Sequence, residues 1–327
     1  MEETVKHIGS IGLLLVALLC ATASAQTESA PNELTRVRFV TNWFAEPQHG
    51  GFFAAVVDGI YEDYGLDVEI IQGGPQVAGR ALLVAGRVEL AMTDAAALLY
   101  ARDQGIPLVS IFGTFQTLPQ GLMFHAEEPL EDFSDLAGRR VAVSPGAGYW
   151  EFIEARYDLE GEVQVINYSG RLADWLRDTS LVTQMFVTSE PYTAIREGAD
   201  PEYLRIADSG FNPYTNIVIA TETYIDENPE VLAAFVAASQ EGWKRFLTAP
   251  LDYAEVLSEY NDAMTPDFVV WSNAQQLPYI LDEEAMVGGI GTMSAERWQT
   301  LYEQLLGLEL VSEDVDPAAA FTTEFLP

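Results

Sequence analysis

Two short segments concentrate side chains able to recognise a small molecule. The first, Asn42 to Gly51, reads NWFAEPQHGG. Trp43 can stack on a flat ring, and Asn42, Glu46 and His49 offer hydrogen bonds. Each has a plainer role as well. Trp43 stacks or fills a core; Phe44 is expected to pack in the core, with ring contact as the alternative. Glu46 binds or is solvated, and His49 binds or caps a helix. The second segment is Thr188-Ser189-Glu190-Pro191-Tyr192. A glutamate held by proline can accept two N–H donors from an amino-heterocycle. Its plainer role is a favourable charge at a helix N-terminus. Asp94, after Thr93, is expected to cap the next helix or face the ligand. Ser144-Pro145-Gly146-Ala147-Gly148-Tyr149-Trp150 allows close backbone approach and presents a helix N-terminus; a local Gly-rich turn is the alternative.

Catalysis has few tools. Histidine occurs only at His7, His49 and His125, and the sole cysteine is Cys20. A zinc or copper site built from nitrogen and sulfur is not expected. No EF-hand loop, Walker sequence or G-x-S-x-G occurs, and Gly146-Ala147-Gly148 lacks the third glycine of a dinucleotide loop, with Glu151 in its place. The reading is a binding protein without metal or cofactor, not an enzyme.

The elements that must position these groups alternate. Arg36–Trp43, Leu66–Ile71 and Val88–Met92 read as strands; Gly50–Tyr61, Gln76–Gly86 and Ala95–Asp103 read as helices. After the apolar runs Pro107–Phe115 and Gly121–His125 the alternation restarts. Arg140–Val143, Val163–Tyr168 and Gln184–Val187 are strands, with Tyr149–Tyr157, Arg171–Thr179 and Tyr192–Gly198 as helices. Such alternation predicts two α/β units with parallel sheets. Ligands then sit outside the strands' carboxyl ends, where the candidate loops lie. From Pro229 onward the pattern is helical, with Asn228 as the expected cap and Leu232, Phe235, Val236, Trp243, Phe246 and Leu247 on one face.

The 327 residues suit about two domains at ~150 residues each. Fifty acidic residues against 16 basic ones give a net charge of −34. That surface repels phosphate backbones and anionic lipid, so nucleic-acid and membrane-surface partners are not expected. It suits a salty external milieu. Ile11–Cys20 is too short to span a bilayer, and Ala23-Ser24-Ala25 reads as a cleavage signal. Residues 1–25 are therefore expected to be a signal peptide cleaved after Ala25, followed by a polar linker to Glu33. The remaining chain has no thiol and no other membrane-spanning stretch, as expected of a periplasmic or extracytoplasmic protein.

Several motifs together resemble one family. They are Trp43 to Gly51, Gly59-Ile60-Tyr61-Glu62 with Gly65-Leu66-Asp67-Val68, Gly86-Arg87-Val88-Glu89, and Thr188-Ser189-Glu190-Pro191. The chain resembles periplasmic substrate-binding proteins of the thiamine-pyrimidine and sulfonate/nitrate/taurine type. The resemblance implies a two-lobed periplasmic binding protein-like α/β fold (type II), each lobe a sheet flanked by helices, with a ligand cleft between them. One lobe would be 26–118 plus 212–327, the other 119–211, with crossings at Gln116–Gln120 and Gly210–Tyr214. It implies capture of a small aromatic, nitrogen-bearing ligand by hinge closure and delivery to an ABC permease and ATPase, by a monomer. Asn42, Trp43, Phe44, Glu46, His49, Asp94, Gln116, Tyr149, Glu190, Tyr192, Asn212 and Tyr214 would line the ligand, with Glu190 on the pyrimidine. The same fold includes an enzyme that makes the thiamine pyrimidine from its own histidine and pyridoxal phosphate. Where that enzyme carries Lys and His, this chain has Thr93 and Ala97. An anion binder, using Arg139, Arg140 and Arg171, and a ligand-sensing module are further alternatives.

Overall fold

The structure, a computed structural model, describes residues 33–74 and 77–326. The expected leader, its cleavage point and nearly all of the linker lie outside the described residues.

Among the described residues, ten strands form two five-stranded sheets: β1 (Thr35–Val40), β2 (Leu66–Ile71), β3 (Leu90–Thr93), β4 (Leu108–Phe115), β5 (Gln120–His125), β6 (Arg140–Val143), β7 (Gln164–Asn167), β8 (Leu181–Phe186), β9 (Pro201–Arg205) and β10 (Thr215–Thr221). The first sheet has the order β2-β1-β3-β10-β4, the second β7-β6-β8-β5-β9. The chain passes between sheets after Phe115 and returns after Arg205. This is a two-lobed α/β architecture.

Neither sheet is purely parallel, which corrects the sequence expectation. β10 runs antiparallel to β3 and β4, and β5 antiparallel to β8 and β9. Each reversed strand follows a crossing, where the chain enters a sheet from the other lobe rather than through a helix. β9 and β10 were not expected from the alternation. β10 is buried from Thr215 to Ala220, its apolar run Ile217–Ala220 lying between the neighbouring strands.

The first strand stops at Val40, three residues early. Thr41 Oγ1 donates to Trp43 O and accepts from Gly73 N, turning the chain out of the sheet. The first helix likewise ends at Val57; Gly59 takes φ +69° and a separate turn covers Ile60–Asp63. Glycine adopts that backbone without a Cβ penalty. The Gln76–Gly86 helix shortens to Gly79–Val84, and Asn228 does not cap as expected. Its amide instead donates to Tyr224 O, closing the preceding turn Glu222–Glu227.

The helix Pro229–Thr248 carries much of the first lobe's core. Phe235 packs against Phe39 at 5.6 Å and stacks with Tyr61 at 5.3 Å. Burying each such ring is worth roughly 1.5–3 kcal/mol. The helix Gly50–Val57 approaches Trp243 and Phe246 so closely that a Cβ on Gly51 or Gly50 would overlap those rings. This contact holds the loop preceding Gly50, which carries the first candidate segment. Among the described residues no helix is long and apolar enough to cross a membrane.

Candidate functional site

A cavity of about 1010 Å³ lies between the two sheets. The first lobe contributes Thr41, Asn42, Trp43, Thr93, Asp94 and Tyr100; the second contributes Gln120, Ser144 to Tyr149 and Phe186. These are mostly strand ends and the loops after them, as the fold rule requires.

Asn42 begins a directed chain of hydrogen bonds. Burial pushes the His49 imidazole down to about 3, so the ring is neutral. Its Nδ1 accepts from Glu46 N at 3.3 Å and its Nε2–H donates to Asn42 Oδ1 at 2.9 Å. The amide acceptor defines that tautomer. Asn42 Nδ2 donates to Asn216 Oδ1 at 2.9 Å, and Asn216 Nδ2 donates to Gln48 O at 3.4 Å. Asn216 is fully buried on β10 with φ +49°, a conformation asparagine tolerates better than most residues. His49 therefore positions Asn42 and does not itself line the cavity. The bond from Glu46 N is also half of a capping box on the short helix Pro47–His49, so His49 caps that turn and not the helix Gly50–Val57.

Trp43 is half-buried on the cavity wall, edge-on to Phe44 at 5.5 Å. Phe44 is 41% exposed and outside the cavity lining. The core role expected for it is corrected: the turn at Thr41 sends its side chain outward.

Glu46 and Glu190 come from different lobes, and the charge of Glu190 acts on Glu46. Glu46 is buried, and its carboxyl is pushed up to about 8 by burial first and the Glu190 charge second, against a Ser189 hydroxyl bond. Gln48 Nε2 donates to it at 3.3 Å. Glu190 accepts from the Tyr168 hydroxyl and from Phe186 N, both at 2.8 Å. Burial raises its carboxyl above the ordinary range, and those two donors oppose the shift. Tyr168 is itself raised, by burial and then by the Glu190 charge.

Asp94 caps a helix at the edge of the cavity. Oδ1 accepts from Ala97 N at 2.8 Å, capping the helix Ala95–Asp103, while the residue lines the cavity. Tyr149 also lines it, and its hydroxyl donates to Gln184 Oε1 at 2.8 Å. The same oxygen accepts from Ser144 N, locking the glycine-containing loop.

Like Phe44, Glu46, His49 and Glu190, the expected site residues Gln116, Asn212, Tyr214 and Tyr192 lie outside the cavity lining. Gln116 donates to Gly113 O and Thr292 O, tying a crossing to the C-terminal segment. Asn212 Oδ1 accepts from Leu118 N, joining the two crossings. Tyr214 is buried; its hydroxyl accepts from Ser294 N, and the Arg297 guanidinium sits 4.1 Å from its ring centre. Tyr192 packs on Phe268 at 5.0 Å and Trp271 at 5.2 Å. Partners distant in sequence meet all four, Thr292 for Gln116, Leu118 for Asn212, Ser294 for Tyr214 and Phe268 for Tyr192, while the buried Gln116 Oε1 has no partner among the described residues.

Sequence reasoning missed Tyr100, Tyr168, Gln184 and Phe186. Tyr168 directly follows β7, so the strand-end rule that found Glu46 applied to it too. Gln184 lies inside a strand, where no loop signal marks it. Arg139 and Arg140 pair with Glu128 and Asp178, and neither they nor Arg171 line the cavity.

The family described as NMT1/THI5 like matches residues 46–252. The chain belongs to that family. It is 25% identical over 334 residues to the formylaminopyrimidine-binding protein of Halalkalibacterium halodurans, covering 97% of this chain and 99% of that one. It is also 25% identical over 348 residues to the riboflavin-binding protein RibY of Chloroflexus aurantiacus, covering 97% of each. The fold is similar to the periplasmic aliphatic sulphonate binding protein SsuA from Escherichia coli. The TM-score is 0.66 at 15% identity, covering 88% of this chain and 97% of that one.

Proposed function

We propose that this protein is an extracytoplasmic solute-binding protein of an ABC importer, and not an enzyme. It captures a small aromatic, nitrogen-bearing ligand between its lobes and delivers it to a permease. The lobes, 26–118 plus 212–327 and 119–211, close about the two crossings joined by the Asn212–Leu118 contact.

The observation that carries this reading is the cavity between the sheets, walled by Trp43 and Phe186 and edged by Asn42, Asp94 and Tyr149. Rings contribute apolar area, and a few oriented polar groups fix the ligand's direction. Names of relatives that bind a pyrimidine and a flavin agree with it. Thr93 and Ala97, which the resemblance matches to the Lys and His of the pyrimidine-making enzyme, both line the cavity and supply a hydroxyl and a methyl. The wall there offers no amine to form a Schiff base.

Calorimetry with riboflavin, thiamine, 4-aminopyrimidine, taurine and an alkanesulfonate tests the reading. One of the aromatic compounds should bind, and Trp43→Ala should weaken it at least tenfold. Ligand at 100 times its dissociation constant should add about 2.7 kcal/mol of stability. Binding of a sulfonate alone, or unchanged binding by Trp43→Ala, would overturn the aromatic site.

A further inference from the structure

A contact between aromatic rings joins the lobes outside the cavity. Tyr192 lies on the helix Glu190–Arg196, which packs on β8 and β9 of the second sheet. Its ring meets two rings of the helix Pro266–Ile280, which packs on β4 of the first sheet. Phe268 lies edge-on at 5.0 Å and Trp271 is tilted at 5.2 Å. Phe268 and Trp271 are themselves stacked at 6.5 Å. The Arg196 guanidinium, one turn along the helix from Tyr192, lies 6.0 Å from its ring centre. None of these four side chains lines the cavity.

The contact is narrow. Phe268 is buried, but Tyr192 and Trp271 are half-buried, and Ile195 and Val270 on the same two helices are 56% and 44% exposed. An interface this small can part, because water already reaches its rim and few apolar groups must be separated. The contact is also tied to the cavity. Two residues before Tyr192, the Glu190 carboxylate accepts from Phe186 N at 2.8 Å. Phe186 walls the cavity and lies 6.5 Å from Phe115 on β4. The helix carrying Tyr192 therefore moves with one wall of the cleft. Ring pairs attract at separations of about 4.5–7 Å, so this attraction exists with the lobes together and is lost when they part.

We infer that Tyr192 is a latch. By docking on Phe268 and Trp271 it favours the closed arrangement of the lobes, and so governs how long a ligand stays without touching it. Tyr192 is a positioning residue that acts through the lobe bearing Phe186. The inference rests on the reading of the lobes as closing about a ligand, and adds the contact that sets the balance between open and closed forms. Apparent affinity scales with the fraction of competent protein, so losing the latch weakens binding while the cavity wall is unchanged.

Small-angle scattering of the unliganded protein reads the latch directly. Tyr192→Ala and Trp271→Ala should each enlarge the radius of gyration, with circular dichroism as the folding control. Tyr192→Phe keeps the ring and should match wild type. The double alanine variant should open no further than either single one, because one shared contact is lost only once. Stopped-flow fluorescence with riboflavin supplies the functional readout. Release should be at least about fivefold faster in each alanine variant and unchanged in Tyr192→Phe. Equal radii of gyration in wild type and a folded alanine variant would overturn the latch, and so would riboflavin release at the wild-type rate. If one variant does not fold, the other decides. If riboflavin does not bind while the radii differ as expected, riboflavin is not the ligand and the latch stands.

Discussion

In the first sheet the edge strand β4 is buried along its whole length, whereas in the second the edge strands β7 and β9 are mostly exposed. The two sheets have corresponding strand orders, so topology does not explain the contrast. Cover does. The C-terminal helices pack on the first sheet, and the segment near its end bridges β4 through Ser110 and Phe321. The second sheet receives shorter helices. Its edge β9 carries Pro201, Glu202 and Arg205, residues that discourage pairing with another chain. The same strand order thus serves as a heavily covered platform in one lobe and a lighter jaw in the other.

The largest effect that sharpens this contrast should come from Phe235→Ala. The ring touches Phe39, Phe52 and Tyr61, and truncation should cost about 3–5 kcal/mol in urea unfolding. A loss below 1 kcal/mol would show that the C-terminal helix is not the platform's main support. Gly51→Ala should cost about 1–3 kcal/mol, because its methyl would overlap Trp243. Thermal unfolding at matched pH reads this, and a neutral result would mean that the helix pair slides apart freely.

Between the lobes, the effect should depend on pH. Unfolded Glu46 loses its proton near 4.5, whereas the folded residue holds it to about 8. In that window the folded state binds more protons, so Glu46 makes stability fall as pH rises, by at most about 1.4 kcal/mol per pH unit. Glu46→Gln should flatten the fall between pH 4.5 and 8. Parallel profiles for wild type and variant would place the carboxyl in water. His49 acts oppositely: its lowered value makes stability rise between pH about 3 and 6.5. The smallest effect belongs to the light jaw's surface. Arg177→Ala removes an exposed ion pair with Asp174 and should change stability by less than about 0.5 kcal/mol. A larger loss would mean that this lobe depends on its surface charges.

Local pattern made much of this legible. Leu66–Ile71 alternates buried and exposed residues, and the helix Ala95–Asp103 begins at the Asp94 cap, so both sets of bounds follow from neighbours in sequence. Asn42, Trp43, Asp94 and Tyr149 stood out because strand ends face a cleft. Gln116, Asn212, Tyr214 and Tyr192 lie outside the cavity lining and have remote partners: Asn212 meets a residue 94 positions away, and Tyr214 one 80 positions away. Nothing local distinguishes such a residue from a ligand contact.

The sequence by itself determined the alternating elements, the acidic surface, the family and the loops at the strand ends, because periodicity, charge and motif spacing act over short distances along the chain. Only the tertiary structure decided that β5 and β10 reverse, that His49 serves Asn42, and that Glu190 accepts from Tyr168 and Phe186. Those outcomes depend on which distant groups share a desolvated space, and burial turns that proximity into energy.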